Sequence, residues 1–528
     1  MIRAYAVASV REAEALAISR LASAGRDEDE LMLRAALGLA EVASARLLDR
    51  RDTAGLAGPG LAGPGLAGPG LAGHCVVALV GAGNNGGDAL YAAASLARDG
   101  ASVVVITVSK LVHEGGLRAA RDAGAVVLNA VDGSLGSAAP AAEVSSALSR
   151  ADLVLDGIVG IGGHPGLSPQ IEGLLGEVSD TAYVLAVDLP SGTDPDGEVA
   201  TRSCVIADET VSFIAAKPVH LLPATEAAVG RLTVVDIGVQ IGRRPVVERV
   251  TRGDVASLWP HPGPGDDKYS RGVLGVVAGG ENYSGAAVLA VTSAVCSGAG
   301  MVRYLGPPTP TSLIRTQIPE VVFGPGRVQA WLIGPGLEVG DESPEGRAQR
   351  VAAQSVLDSG LPCVVDAGGL DLIVKTRSTP TLLTPHAGEL ALMLGRLEGS
   401  QTAVDRSTVT SAPLAHARRL ADLTNSTVLL KGATTLVVSP GASDCAVRSQ
   451  ADAPPWLATA GSGDVLAGLA GMLLASGLSL LDSGSVAALV HGLAADAANP
   501  GGPVRALGVA HAIPGVVAAL LAHRAIRS

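Results

Sequence analysis

Beyond residue 75 the chain alternates short apolar runs with longer segments of helical spacing. Residues 76–80, 103–108, 125–128, 153–155, 183–187 and 210–213 are runs rich in Val, Ile and Leu, bounded by turn formers, and they predict strands. Residues 89–98 between them predict a helix. Strands alternating with helices imply a parallel, doubly wound α/β sheet, with ligands at the carboxyl ends of the strands. The pattern breaks after residue 240, where Arg243-Arg244-Pro245 reads as a crossing, and a second α/β series starts near 247 with strands at 273–278, 331–333 and 427–430. The expected organisation is a Rossmann-like α/β/α domain over residues 1–240 and a second α/β domain over residues 247–528.

Ahead of the first strand, residues 10–16 and 31–40 have helical spacing, and Leu33, Leu37, Ala40 and Ala43 suggest a core-facing stripe. A block of Gly-Leu-Ala-Gly-Pro repeats over residues 55–73 follows. Prolines every five residues forbid a regular helix and frequent glycines make ordering costly, so the block reads as a mobile loop replaceable by a shorter Gly/Ser linker. Near the other end, residues 465–481 are uncharged and small, which suits a buried helix.

Composition narrows the function classes. Hydrophobic residues make up 48% of the 528 positions, but aromatics only 2%, and no run reaches the roughly 20 strongly apolar residues of a membrane span. Arg3, Arg11, Glu12 and Glu14 interrupt the N-terminus, so no secretory signal is expected. A net charge of −12 and few stacking side chains argue against nucleic-acid binding. Cys75, Cys204, Cys296, Cys363 and Cys445 are scattered without a C-x-x-C pair, which suggests reduced thiols and a cytoplasmic protein.

Candidate chemistry collects at the strand ends. Gly81-Ala82-Gly83-Asn84-Asn85-Gly86-Gly87-Asp88 follows the first strand and supplies amide carbonyls and a carboxylate beside exposed backbone N–H groups. Asp156-Gly157-Ile158-Val159-Gly160-Ile161-Gly162-Gly163-His164-Pro165-Gly166 and Val187-Asp188-Leu189-Pro190-Ser191-Gly192-Thr193-Asp194 end two further strands. Singly each carboxylate reads as a turn former or cap, but together they point to one crevice. In the second half, Gly461-Ser462-Gly463-Asp464 opens the apolar helix, an arrangement that favours an anion beside a general base. The alternative is a glycine turn with an acidic cap. Lys431 stands at the end of an apolar strand and suits a phosphate, while His386 alone reads as a structural loop histidine. There is no G-x-x-x-x-G-K-[ST] loop, so any phosphoryl transfer would use the glycine cradle at 461–463.

Four segments, Lys268-Tyr269-Ser270-Arg271-Gly272, Leu383-Thr384-Pro385-His386-Ala387-Gly388-Glu389, Leu430-Lys431-Gly432-Ala433-Thr434 and the 461–464 turn, resemble the ADP- or ATP-dependent NAD(P)H-hydrate dehydratases of the ribokinase-like fold. The Asn-Asn-Gly-Gly-Asp half resembles the NAD(P)H-hydrate epimerase domain, and the two together resemble the bifunctional repair enzymes for hydrated nicotinamide cofactors. The resemblance implies that Asn84, Asn85, Gly86, Gly87, Asp88, Gly160, Ile161, Gly162, Gly163, His164, Pro165, Gly166 and Asp188 bind the hydrate NAD(P)HX. It implies a potassium ion (K+) at Asn85, Asp156 and Ser191, with Asp188 as acid/base at C6 of the ring. For the dehydratase half it implies Ala286, Gly336, His386 and Asp464 at the hydrate and Lys431, Gly432, Ala433, Thr434, Thr435 and Gly463 at ADP, with Mg2+ and with Asp464 as the base. NADHX, NADPHX and ADP are the implied small-molecule partners, and a homo-oligomer the implied assembly. Ala82 and Ile161 depart from the relatives' usual lysine and threonine, which bears on affinity. The rival readings are a ribokinase-like thiazole or sugar kinase with an accessory nucleotide-binding domain, and a non-catalytic nucleotide sensor.

Overall fold

The computed structural model describes residues 1–27, 29–53, 70–131, 141–399, 404–441 and 447–525. The chain divides into two compact units, one of Arg3–Pro245 and one of Val246–Ser528 with Met1–Ile2. Both are α/β with predominantly parallel sheets, the expected fold class.

In the unit Arg3–Pro245, the seven-stranded sheet runs in space Val126–Asn129, Ser102–Thr107, Cys75–Val80, Leu153–Gly157, Tyr183–Val187, Glu209–Phe213, Arg231–Val235, and every pairing is parallel. The strands are nearly uninterrupted apolar runs because both faces are covered. The order reverses between Cys75–Val80 and Leu153–Gly157, and the loops leaving these two strands part there to open a crevice.

The helix Glu30–Thr53 corrects one expectation. Leu33 and Leu37 are exposed, and the buried face is Leu31, Ala35, Ala36, Leu39, Ala40, Ala43 and Leu47. This helix packs on Gly83–Arg98, whose own inner face is Ala89, Ala92, Ala93 and Leu96, so small side chains rather than large ones mark the contact.

Most of the repeat block, residues 54–69, lies outside the described residues. Its last four residues do not fit a replaceable loop, because Leu71 is buried in the core and its N–H donates to Asp99 O at 2.9 Å. A linker swap therefore has to stop before residue 70. Leu71→Ala is expected to destabilise this unit by about 2–5 kcal/mol, as for other buried leucines, measured by denaturant unfolding. An unchanged midpoint would mean that Leu71 contributes no packing.

The second unit is built on a larger sheet, in spatial order Val247–Arg249, Val447–Gln450, Thr435–Val438, Thr427–Leu430, Thr381–Leu383, Cys363–Val365, Ala330–Ile333, Val273–Val277, Met301–Leu305, Val322–Phe323. It is parallel except where Thr435–Val438 pairs antiparallel with both neighbours. The uncharged segment 465–481 is not one helix. The helix Ser462–Ala475 stops at Gly477, whose φ of +95° makes a left-handed stop, and a new helix starts at Leu480. Ser462–Ala475 crosses the sheet with Leu469, Ala470 and Leu473 fully buried, and the neighbouring helix Ser284–Cys296 lies against it, with Ser293 Oγ donating to Val465 O at 2.6 Å. Among the described residues no helix is long and apolar enough to cross a membrane.

Candidate functional site

The crevice of the first unit is a cleft of about 840 Å³. Its floor requires glycine: a Cβ on Gly81 would stand 1.9 Å from the Ile158 carbonyl oxygen, so the loops after the two central strands touch backbone to backbone. Asn84, Asn85, Asp88, Gly160, Ile161, Gly162 and Asp188 line the cleft. Gly86 and Gly87 are buried in the helix Gly83–Arg98 beneath it, and Gly163, His164, Pro165 and Gly166 continue the loop away from its lining. Helix Val7–Ser23 supplies the opposite wall, where Arg11 Nη2 donates to Ile161 O at 2.6 Å and Glu14 faces inward.

Asp156 is fully buried behind the cleft. Its carboxylate accepts from Ser191 Oγ at 2.6 Å and Ser191 N at 2.8 Å, and Val159 N donates to Ser191 Oγ at 2.9 Å. Burial pushes the Asp156 carboxyl up to about 6, against these hydrogen bonds, and no ion pair among the described residues offsets the charge. Asn85 is buried too, with an amide Nδ2 that has no partner among the described residues, and its Oδ1 would be 2.9 Å from a Cβ on Gly160. A buried carboxylate without a counter-charge, beside a serine hydroxyl, has the oxygen chemistry that a monovalent cation takes.

Asp188 ends the strand Tyr183–Val187 in a left-handed conformation, φ +68°, and Ile214 after Glu209–Phe213 has φ +70°. Such backbone is costly for an aspartate and more so for a β-branched residue. Lys217, which sequence reasoning passed over, is buried and hydrogen-bonds the Asp188 carboxylate. His220 Nδ1 accepts from Lys217 N at 2.9 Å, so its Nε2–H donates to Asp188 O at 2.8 Å. Burial first, and then the Lys217 charge, push this imidazole down to about 4, which keeps it neutral. Burial, then Asp188, raise the carboxyls of Asp88 and Glu14 above their usual range.

In the second unit the strand order reverses between Val273–Val277 and Ala330–Ile333, and Gly279 N donates to Pro335 O at 2.6 Å where their end loops meet. A Cβ on Gly336 would stand 2.7 Å from Tyr283 O and 2.9 Å from Ala286 Cβ, which places Ala286 and Gly336 side by side. Beyond them the chain turns at Gly461, φ +86°, into Ser462–Ala475 with no side chain capping its N–H groups. A Cβ on Gly461 would meet Leu289 Cδ1 at 2.5 Å, so this turn packs on the helix that carries Ala286.

Lys431 follows the strand Thr427–Leu430 and lies across the start of that helix, 3.4 Å from where a Gly463 Cβ would be. Its Nζ donates to Asp366 Oδ1 at 2.7 Å and stands 3.7 Å from Glu389 Oε2. Burial opposes its charge, but Asp366, then Glu389 and Asp464, outweigh it and hold the ammonium above its usual range. Asp464 is pushed up to about 7, by burial first and then by Asp366, with Lys431 opposing. His386 caps the helix Ala387–Glu398, Nδ1 accepting from Gly388 N and Glu389 N at 3.1 Å each, which leaves Nε2 to carry the proton of the neutral ring. Gly432 and Ala433 are exposed in the turn after Lys431, and Thr434 and Thr435 are half-buried. The residues missed here are Asp366, Glu389 and His491, a buried imidazole whose Nε2 has no hydrogen-bond partner among the described residues. Glu389 had a signal, the H-x-x-E spacing of a capping box.

Residues 274–507 match a family model described as NAD(P)H-hydrate dehydratase, and residues 28–219 match one described as the N-terminus of YjeF-related proteins. A protein of Mycobacterium tuberculosis named bifunctional NAD(P)H-hydrate repair enzyme Nnr is 39% identical over 487 residues, covering 90% of this chain and 89% of its own. The protein of that name from Mycobacterium leprae is 38% identical over 512 residues, covering 94% of each. Among solved structures, an ADP/ATP-dependent NAD(P)H-hydrate dehydratase of Bacillus subtilis, co-crystallised with ATP and Mg2+, aligns at 25% identity and a TM-score of 0.44, over 52% of this chain and 99% of that one.

Proposed function

The chain belongs to the family of bifunctional NAD(P)H-hydrate repair enzymes, and from that premise we propose how each unit does its part. The N-terminal unit interconverts the R and S hydrates, and the C-terminal unit dehydrates the S form at the expense of ADP, giving NAD(P)H, AMP and phosphate. The observation that carries the assignment is a matched pair of strand-end centres, each with a lysine set against carboxylates: buried Lys217 with Asp188, and half-buried Lys431 with Asp366 and Glu389 beside Asp464.

In the C-terminal unit, Asp464 removes the proton of the C6 hydroxyl as that oxygen attacks the terminal phosphorus of ADP, and AMP leaves with the P–O electron pair. Elimination then removes a proton from C5 and phosphate from C6, and the ring gains its C5–C6 double bond. The backbone N–H groups at Gly463 and the Lys431 ammonium hold the phosphoryl oxygens as charge spreads over them. The hydrate lies at Ala286, Gly336 and His386, and the turn Gly432, Ala433, Thr434 and Thr435 holds the nucleotide. Among the described residues no group of three or more His, Cys, Asp or Glu side chains is placed to hold a metal. A magnesium ion would therefore be held mainly by the phosphates, with Glu389 as a supplementary ligand. It would neutralise phosphate charge.

In the N-terminal unit, Asn85, Asp156 and Ser191 would hold potassium, whose charge offsets the buried carboxylate and fixes the loop that carries Gly160–Gly162. Asp188 is the acid/base at C6, and the glycine loops hold the rest of the hydrate. Free thiols at Cys75, Cys204, Cys296 and Cys363 support placement in the reducing cytoplasm. Mixed R and S NADHX incubated with ADP should be converted completely to NADH, read by its absorbance. Conversion of only the S half would remove the epimerase assignment, and a stable phosphorylated product without NADH would mark an ordinary kinase.

A further inference from the structure

Lys217 enters the cleft from the turn after Glu209–Phe213 and is 2% exposed. A buried ammonium needs its protons paired, and each of the three has an acceptor: the Asp188 Oδ1, Ser212 Oγ at 2.9 Å and the Phe213 carbonyl at 3.2 Å. With every proton engaged, Lys217 is not arranged to donate to a substrate, and its effect runs through Asp188. The Oδ1 of that carboxylate is taken by Lys217 and lies 3.3 Å from Ser212 Oγ, while Oδ2 accepts no hydrogen bond among the described residues. The main chain is held independently, by Asp188 N–H donating to Val211 O at 2.8 Å and by the neutral His220 on Asp188 O.

The surroundings give this pairing a further consequence. Glu14 on one helix and Asp88 on another line the same cleft as Asp188, with Asp29 further along and Arg11 as the other lining cation. Arg11 donates to a backbone carbonyl on the far loop. Several carboxyl groups sharing a buried space cannot all be ionised unless a cation adjoins one of them, and the one it adjoins keeps its charge. Glu14 and Asp88 both have raised pKa values, from burial first and then from the Asp188 charge, in keeping with that division.

We propose that Lys217 is a positioning residue for epimerisation: its ammonium fixes Oδ1 of Asp188, so that Oδ2 is presented to the hydrated ring. The proposal rests on the reading of this cleft as the epimerase site. It is tested on the full chain by following R-hydrate conversion across pH for Lys217→Met, Lys217→Arg, Ser212→Ala and Asp188→Asn. Lys217→Met should lower kcat at least ~10-fold with little change in KM and move the acid limb of the kcat profile up by about one pH unit or more. Lys217→Arg should recover part of the rate and return the limb to its original place. Ser212→Ala, which removes one partner of the ammonium, should shift the limb in the same direction by less, and it decides the matter if Lys217→Met does not fold. A loss confined to KM, or any loss of rate with the acid limb unmoved, overturns the proposal. Asp188→Asn with full epimerase activity would overturn the underlying reading of the cleft instead.

Discussion

Asp464→Asn should leave the protein folded and able to bind ADP while lowering dehydration by ~10²–10⁴-fold, the usual contribution of a general base. The amide keeps the size of the carboxylate in the first turn of Ser462–Ala475, whose residues from Val465 onward are buried, so the helix should persist. Lys431 and the Gly463 backbone remain to hold phosphate. The wild-type rate should also carry a signature of the same group. Asp464 is pushed up to about 7, chiefly by burial, and a base works only when ionised. The dehydratase rate should therefore fall as pH drops below about 7, and that limb should be absent from the residual activity of Asp464→Asn. Single-turnover formation of NADH from pure S hydrate, followed across pH, measures both. A mutant retaining more than about a tenth of the rate would leave Asp464 as a helix cap only. Epimerisation, assigned to the other unit, should not change.

The second large effect is expected at Asp156. Asp156→Ala should reduce R-to-S conversion at least ~100-fold, since even outer partners of a metal site commonly cost 10–100-fold, while S-hydrate dehydration continues. Asp156→Asn separates charge from architecture, because its amide oxygen can still accept from Ser191 N while its NH2 faces Ser191 Oγ, and it offers no anion. It should fold and lose potassium activation. In the wild type the sign of the pH effect follows from a carboxyl raised by burial to about 6: its anion is disfavoured, so the potassium concentration for half-activation should rise as pH falls through about 6. Epimerase rates that are the same in sodium, or without added cation, would show that the oxygen cluster holds no potassium.

Much of the fold was legible because buried parallel strands are runs of Val, Leu and Ile, and 183–187 needed no context to be recognised. The helix Glu30–Thr53 was not, because its inner face is mostly alanine and two of its leucines face outward; large-residue periodicity selects the wrong stripe when helices meet through small side chains. The break at Gly477 was hidden for a related reason, since one glycine in an uncharged run of small residues looks like another until its φ is known. In the sites, the glycine loops announced themselves through composition. Lys217 did not: Ala-Lys-Pro is an ordinary turn in sequence, and only the meeting of two strand ends places its ammonium on Asp188. Asp366 was missed similarly, as one carboxylate after a short strand until Lys431 reaches it. The rarity of lysine, five in the whole chain, was the available clue to both partners.

The left-handed backbone at Asp188 and Ile214 bears on how such a protein changes under selection. A strained residue costs on the order of 1–3 kcal/mol, and at the β-branched Ile214 glycine or asparagine would relieve much of that. A library selected for heat resistance alone should accept Ile214→Gly or Ile214→Asn early and reject Asp188→Gly and Asp188→Asn, because these leave the buried Lys217 ammonium without its carboxylate at a cost above the strain relieved. The first pair leaves every hydrogen-bonding group of Asp188 and Lys217 in place, and the second pair deletes the carboxylate. Stability selection would therefore relax the backbone at Ile214 while the buried lysine keeps the Asp188 carboxylate in place, even without a supply of R hydrate.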